Sequence, residues 1–234
     1  MTRIAPLVFA LALAACAAAP PAIQQAGILP EGSAIVVRNI SGDIDAFAPE
    51  HGADPDRYVV AVYDAPADAV TVERRQLVVR AQARRPGARF LVRGPRGSTM
   101  DLSTDSGSIM VADFEGIANV HTGKGNVRML LPQYGNASVG TGSISANIAS
   151  DDWPGTLRFT VDAGNVELYV NEHARAQVHM HTDDGTIYSD FPLRGTSRGS
   201  SETIDQPING GAARALDIEV RKGSIRLMQL KPQI

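Results

Sequence analysis

Seven copies of one short pattern recur along the chain: a glycine, then a small polar residue, then Ile or Val. The copies are Gly42-Asp43-Ile44, Gly107-Ser108-Ile109, Gly125-Asn126-Val127, Gly142-Ser143-Ile144, Gly164-Asn165-Val166, Gly185-Thr186-Ile187 and Gly223-Ser224-Ile225. Four consecutive gaps between the glycines measure 18, 17, 22 and 21 residues. A repeat of about twenty residues is typical of stacked folds, in which each unit buries its apolar face only against its neighbours.

Apolar residues stand at fixed positions on both sides of each glycine, and they alternate with polar ones. The position five residues before the glycine holds Leu102, Val120, Ala137, Phe159, Met180 and Ile218. The position two residues after it holds Ile109, Val127, Ile144, Val166, Ile187 and Ile225. Because a spacing of two is the strand period, each repeat is predicted to be two strands joined at a glycine corner.

The residue after each glycine is Asp, Ser, Asn or Thr, which predicts a hydrogen-bonded polar ladder along one edge of the stack. An antiparallel meander is the alternative, because Gly-Asn and Gly-Ser corners also form hairpins. The persistence of the same columns over adjacent repeats favours the parallel arrangement.

These patterns predict an all-β protein: a parallel β-solenoid over residues 99–230 with an N-terminal antiparallel β cap over 34–98. The cap includes the first repeat. Aromatic residues are only 5% of the chain, so small aliphatic side chains must do the packing. The stretch 193–215 is rich in Gly, Ser, Arg and Asn and is predicted to be a long loop between two layers.

The N-terminal region has the features of an export signal. Residues 1–15 combine one positive charge with a short apolar run, as in a secretory signal peptide. Leu13-Ala14-Ala15-Cys16 resembles a bacterial lipobox, which implies lipidation of Cys16 and a flexible tether over 16–33. We therefore expect a membrane attachment through the N-terminal lipid, in the cell envelope at the outer membrane, on its periplasmic or surface face. Ordinary cleavage after Ala19, leaving no anchor, is the alternative.

The segments Phe90–Ser98 and Leu102–Ile109, together with the opening Val37–Ile44, resemble a known family. It is the bacterial putative-adhesin, β-strand-repeat family of the cell envelope, a domain of unknown function. The resemblance extends over about residues 35 to 230. It implies a β-solenoid in the cell envelope and supplies no catalytic residues.

Two groups of side chains are candidate sites. His121, His179 and His181 are predicted on the outer face, and too few of them converge for a metal centre, so neither a metal nor another cofactor is expected. Asp162, Asp183 and Asp184 are predicted at neighbouring corners. Their simplest role is turn capping, and a Ca²⁺ site of the kind found in polysaccharide lyases is the alternative.

A basic stretch precedes the main repeats. Its arginines are Arg74, Arg75, Arg80, Arg84, Arg85 and Arg89, followed by Arg93 and Arg96. They could contact lipid headgroups or an anionic glycan, or simply keep a sheet edge soluble. The net charge is −3, and we expect no nucleic-acid partner of an exported protein.

We therefore expect a non-enzymatic envelope lipoprotein whose outer columns, the histidines and corner aspartates above, bind an envelope protein or a glycan. The alternatives are a carbohydrate-active β-helix using the aspartates and a purely structural or regulatory partner.

Overall fold

The computed structural model describes residues 20–131, 134–211 and 214–230. Within these ranges the chain is built from β-strands, with one 3₁₀ turn at Ala67–Ala69 and no α-helix. The all-β class is therefore confirmed.

The strands are numbered here in chain order. The first group is β1 (Ile23–Ile28), β2 (Ala34–Ser41), β3 (Ile44–Phe47), β4 (Arg57–Tyr63), β5 (Val70–Arg75), β6 (Val78–Ala83) and β7 (Arg89–Arg93). The central group is β8 (Thr99–Ser106), β9 (Ile109–Ala112), β10 (Ile117–Lys124), β11 (Val127–Leu131), β12 (Tyr134–Thr141), β13 (Ile144–Ile148), β14 (Thr156–Ala163) and β15 (Val166–Asn171). The last group is β16 (Ala176–Asp184), β17 (Ile187–Ser189), β18 (Thr196–Arg198), β19 (Ser201–Ile208), β20 (Ala215–Lys222) and β21 (Ile225–Leu230).

The strands form two large mixed sheets that are not closed on themselves. The 10-stranded sheet has the order β1, β4, β7, β3, β9, β11, β13, β15, β21 and β17. The 11-stranded sheet has the order β18, β19, β16, β20, β14, β12, β10, β8, β2, β6 and β5. Each repeat contributes one strand to each sheet, and we call such a pair of strands a layer.

Consecutive repeats stack in parallel with the predicted columns in register. Leu102 pairs with Val120, which pairs with Ala137, which in turn pairs with Phe159. These side chains are buried between the two sheets, where like residues pack over like. The hairpin alternative is therefore wrong for the repeats.

The corners explain why glycine recurs. Gly142 has φ +140° and Gly164 has φ +141°, a backbone conformation that side-chain-bearing residues rarely adopt. A Cβ at Gly164 would also overlap the carbonyl oxygen of Gly142 in the layer below. The corner thus needs glycine both for its own dihedral angles and for the close approach of the next layer.

The predicted polar ladder is present beside these corners. The Asn126 Oδ1 accepts the Ser143 backbone N–H at 3.0 Å, and the Asn165 Oδ1 accepts that of Ser224 at 2.9 Å. Asp43, Ser108, Ser143 and Thr186 continue the ladder through the other layers. The ladder supplies hydrogen-bond partners for side chains and backbone N–H groups that the sheets leave unpaired at the corner.

The seventh repeat, formed by β20 and β21, is last in the chain but does not form the last layer of the stack. Strands β20 and β21 insert between the layers β14/β15 and β16/β17, so that Phe159 pairs with Ile218 and Ile218 with Met180. The Gly164 N–H accordingly donates to the carbonyl of Lys222, and the Gly223 N–H to that of Asp184.

The segment 193–215, predicted as a long loop, contains strands. β18 and β19 form an antiparallel hairpin, and β19 pairs antiparallel with β16. The loop prediction was wrong because the polar residues here alternate with only two buried apolar ones, Ile204 and Ile208, which leaves a weak strand pattern.

The opposite end is likewise rearranged. β6 and β7 lie outside β2 and β3 and pair with them in parallel. Beyond these strands, β5 pairs antiparallel with β6, and β4 pairs antiparallel with β7. The predicted antiparallel cap is thus antiparallel only in part. The predicted flexible tether over 16–33 was wrong for β1, which pairs antiparallel with β4 through backbone hydrogen bonds and is followed by the buried Leu29.

Candidate functional site

The outer face of the 11-stranded sheet carries two clefts that run into each other. The first, of about 500 Å³, crosses strands β2, β8, β10, β12 and β14. The second, of about 320 Å³, crosses β10, β12, β14, β20 and β16. They share His121, Ser138 and Thr160. We call this continuous depression the outer groove.

Two rows of side chains form the floor of the outer groove, because alternate residues of each strand point away from the core. One row runs across the strands through Asp101, Asn119, Asn136, Arg158 and Asp217. The other runs through Arg38, Ser103, His121, Ser138, Thr160, Glu219 and His181. The repeat stacks these side chains at intervals of about 4.8 Å.

The first row is linked by hydrogen bonds. The Asn136 Nδ2 donates to the Asn119 Oδ1 at 3.2 Å, and the Asn119 Nδ2 donates to the Asp101 Oδ1 at 2.8 Å. The Asn136 Oδ1 accepts the backbone N–H of Arg158 at 2.9 Å. The chain of bonds fixes the orientation of both amides on the groove floor.

The second row holds the histidines. His121 Nδ1 lies 2.7 Å from Ser138 Oγ, and His181 Nδ1 lies 2.8 Å from Thr203 Oγ1. Ser138, Thr160 and Glu219 separate His121 from His181, which puts four strand steps, about 19 Å, between them. Layers stacked in chain order would put three strand steps between them, and the inserted β20 adds the fourth.

The other predicted histidine, His179, lies in the first row beside Asp217 and Asp205. In the part of the chain that the structure describes, no three His, Cys, Asp or Glu side chains gather as a metal site would require.

The predicted gathering of Asp162, Asp183 and Asp184 is wrong. The inserted strand β20 places Arg221 between the first two, and the Arg221 Nε lies 3.7 Å from the Asp162 Oδ1. Asp184 pairs with Lys222 in the sheet, and the Asp183 Oδ1 lies 3.0 Å from the His181 Nε2. Alternating charges replace the acidic cluster that a Ca²⁺ site would need.

The predicted basic stretch is divided between the two sheets, and three of its first six arginines form ion pairs. Arg74, Arg75 and Arg80 lie on β5 and β6, Arg84 and Arg85 follow β6, and Arg89 lies on β7 of the other sheet. Acids from outside the basic stretch reach three of them. The ion pairs are Arg75 with Glu73 at 3.5 Å, Arg85 with Asp68 at 3.1 Å and Arg89 with Asp64 at 3.7 Å. Contact of this surface with an anionic partner stays a prediction.

The outer face of the 10-stranded sheet differs in character. Half-buried apolar side chains occupy it, including Leu91, Met110, Leu130 and Met228. Burial, the largest influence, raises the pKa of the Asp45 carboxyl on this face; nearby Asp43 adds to the rise and Arg89 opposes it. Burial thus disfavours the charged form of the Asp45 carboxyl.

Two tyrosines at the far end of the same sheet are held by carboxylates. The hydrogen bond that the Tyr169 hydroxyl donates to Glu167 raises the pKa of Tyr169. The Tyr188 hydroxyl donates to the Asp190 Oδ1 at 3.1 Å, and this hydrogen bond likewise raises the pKa of Tyr188.

Sequence reasoning named the histidines of the outer groove and missed Asn119, Asn136 and Tyr134. The signal was present, since the two asparagines stand six residues before consecutive repeat glycines. Cys16 lies outside the described residues. No helix within the described ranges is long and apolar enough to cross a bilayer.

The chain is similar to several solved structures from bacteria. A putative cell adhesion protein from Clostridium sporogenes is 8% identical, with 89% of this chain and 99% of that chain covered and a TM-score of 0.44. A putative adhesin from Bacteroides fragilis is 10% identical, covering 89% and 96%, with a TM-score of 0.36. A putative lipid binding protein from Parabacteroides distasonis is 10% identical, covering 89% and 96%, with a TM-score of 0.29.

At these TM-scores the likeness carries no functional argument. No protein-family profile and no curated protein sequence matches the chain.

Proposed function

We propose that the protein is an exported, non-enzymatic binding protein of the bacterial cell envelope, adhesin-like, with a solenoid-like stack of layers that presents the outer groove to its ligand. One observation carries the proposal: two clefts on the same sheet face join at His121, Ser138 and Thr160. A concave surface with a few convergent polar groups is the usual form of a binding site.

The groove floor is suited to recognition because its side chains are held in place. The amides of Asn119 and Asn136 are oriented by their hydrogen bonds to each other and to Asp101. A fixed side chain loses little conformational freedom when a ligand binds, which favours affinity.

Catalysis is not part of the proposal. The catalytic alternative needs the corner aspartates together, and the inserted strand β20 separates Asp162 from Asp183 and Asp184. The anchor completes the proposal: acylation of Cys16 would attach the chain to the outer membrane, with the layered domain held beside it.

The test is co-sedimentation with envelope fragments of the producing bacterium. We expect Asn136→Leu, on the groove floor in β12, to weaken binding about tenfold, because a buried hydrogen-bonding group of the complex is lost. The control is Asn147→Leu in β13, the same substitution on the outer face of the other sheet, which should bind like the wild type.

Thermal melting of both variants shows whether each is folded. Equal binding by the wild type and a folded Asn136→Leu variant would contradict the assignment of the groove as the binding surface.

A further inference from the structure

The outer groove has a polar floor, and amide, hydroxyl and imidazole groups occupy the centre of its two rows. Between Asp101 and Arg158 the first row holds only Asn119 and Asn136, and between Arg38 and Glu219 the second row holds only Ser, His and Thr side chains. From this arrangement we propose that the groove binds an uncharged polysaccharide chain lying across the strands. This inference rests on the proposed function and names its ligand.

The donor and acceptor capacity of the floor matches a ligand rich in hydroxyl groups. A side-chain amide offers two donors and an oxygen with two lone pairs. Asn119 uses one donor toward Asp101 and accepts one bond from Asn136, so donor and acceptor capacity both remain. Sugar hydroxyls also donate and accept, whereas an ammonium group only donates and a carboxylate only accepts.

The charges around the groove argue against a strongly charged ligand. The Arg158 Nε donates to the Asp217 Oδ2 at 3.1 Å, and Arg221 lies near Asp162. Arg38 and Asp101 both line the first cleft, and Glu219 lines the second. Acids and bases thus lie side by side around the groove, so a strongly charged ligand of either sign would meet repulsion as well as attraction.

The geometry favours a chain over a compact ligand. Equivalent side chains recur at about 4.8 Å across the strands, and the two clefts extend the same rows over neighbouring layers. A hexose unit in an extended polymer has a length close to this spacing, so successive units can meet successive strands. A protein strand has no such match here, because the backbone groups of these central strands are already paired on both sides.

Tyr134 supplies an apolar surface at the start of β12. Its hydroxyl donates to the carbonyl of Thr156 at 2.9 Å, which fixes the ring where it lines the first cleft. Aromatic rings with one hydrogen-bonded end are common anchors for ligands that are partly apolar and partly polar. The ring face of a sugar is such a ligand surface.

The experiment treats the same envelope fragments before co-sedimentation with the full protein. One sample is digested with proteinase, which is then removed; a second is oxidised with periodate, which cleaves sugar diols; a third is assayed in about 1 M salt, where the screening length is about 3 Å. We expect binding to survive proteinase and salt and to fall at least about tenfold after periodate. Tyr134→Ala should weaken it about fivefold, with Tyr169→Ala on the other sheet as the matched control.

The outcomes separate the two proposals. Loss of binding after proteinase identifies a protein ligand, loss in salt identifies a charged one, and survival after periodate excludes a polysaccharide bound through its vicinal hydroxyls; each overturns the inference while the proposed function stands. If the fragments do not bind the wild type, or if Asn136→Leu binds like the wild type, the proposed function fails and the inference fails with it.

Discussion

The middle of the stack and its two ends are built by different rules. From β8 to β15 each layer follows the previous one in the chain, and each pair of neighbouring strands is parallel. At both ends the order is reversed: β2/β3 lies inside β6/β7, and β20/β21 lies inside β16/β17.

The ends differ because an open terminal layer exposes unpaired backbone groups. Antiparallel strands cover them in both sheets at the N-terminal end and in the 11-stranded sheet at the other, where β19 pairs with β16. A repeat therefore determines how layers stack in the middle, whereas the ends depend on segments outside the repeat.

The largest expected effect concerns the inserted layer of β20 and β21, where a disulfide either forms or does not form. In a Cys16→Ser background, the pair Thr160→Cys and Glu219→Cys should form a disulfide on oxidation, because these residues face each other on neighbouring strands. The pair Thr160→Cys and His181→Cys should not, since two strand steps, about 10 Å, exceed the reach of a disulfide. Mass spectrometry of tryptic peptides measures both.

Ser138→Cys with Thr160→Cys is the positive control, because these residues are neighbours whichever way the last layers are ordered. A cross-link between positions 160 and 181, with none between 160 and 219, would show that the layers stack in chain order after all.

The middle of the stack is tested at a corner glycine. Gly142→Ala should lower the free energy of unfolding by about 3 kcal/mol or more, because it adds left-handed backbone strain and an overlap with the carbonyl oxygen of Gly125. Gly155→Ala is the control: its φ is +75°, and open space surrounds the new Cβ. It should cost about 1 kcal/mol, from backbone strain alone.

Urea unfolding measures both variants. Equal losses would mean that the stacked backbones in the middle do not constrain the corner, and that the glycines are present for their dihedral angles only.

The division between middle and ends also explains what the sequence could predict. The glycine corners, the buried columns and the polar ladder follow from local spacing, because each residue meets its counterpart in the next repeat. The position of Arg221 does not follow from local spacing, because Arg221 is 59 residues away from Asp162 in the chain. The predicted acidic corner failed for this reason.

The outer groove shows the same division. The face on which His121 lies could be predicted from strand alternation, and the structure places it outward as expected. The fourth strand step between His121 and His181, and with it Glu219, depends on the inserted layer. Local periodicity thus predicts which side chains face outward, and long-range pairing decides which of them are neighbours.

The smallest expected effect concerns the exposed edge of the last layer. β17 is the terminal strand of its sheet, and the Glu202 Oε2 accepts the Ile187 backbone N–H at 2.8 Å. Glu202→Ala should lower the free energy of unfolding by about 1 kcal/mol, because it leaves a half-buried N–H without its acceptor. Glu202→Gln keeps a carbonyl oxygen in place and should lose less.

Hydrogen exchange of the Ile187 amide distinguishes an edge effect from a general loss of stability. We expect faster exchange at Ile187 in Glu202→Ala, with the amides of Ile144 and Val127 in the middle of the stack little changed. Equal acceleration at all three positions would show that the ends and the middle open together, so the stack would behave as one cooperative unit despite its two modes of assembly. Unchanged exchange at Ile187 would instead mean that the carboxylate does not protect this edge, and the end layer would then depend on the β18–β19 hairpin alone.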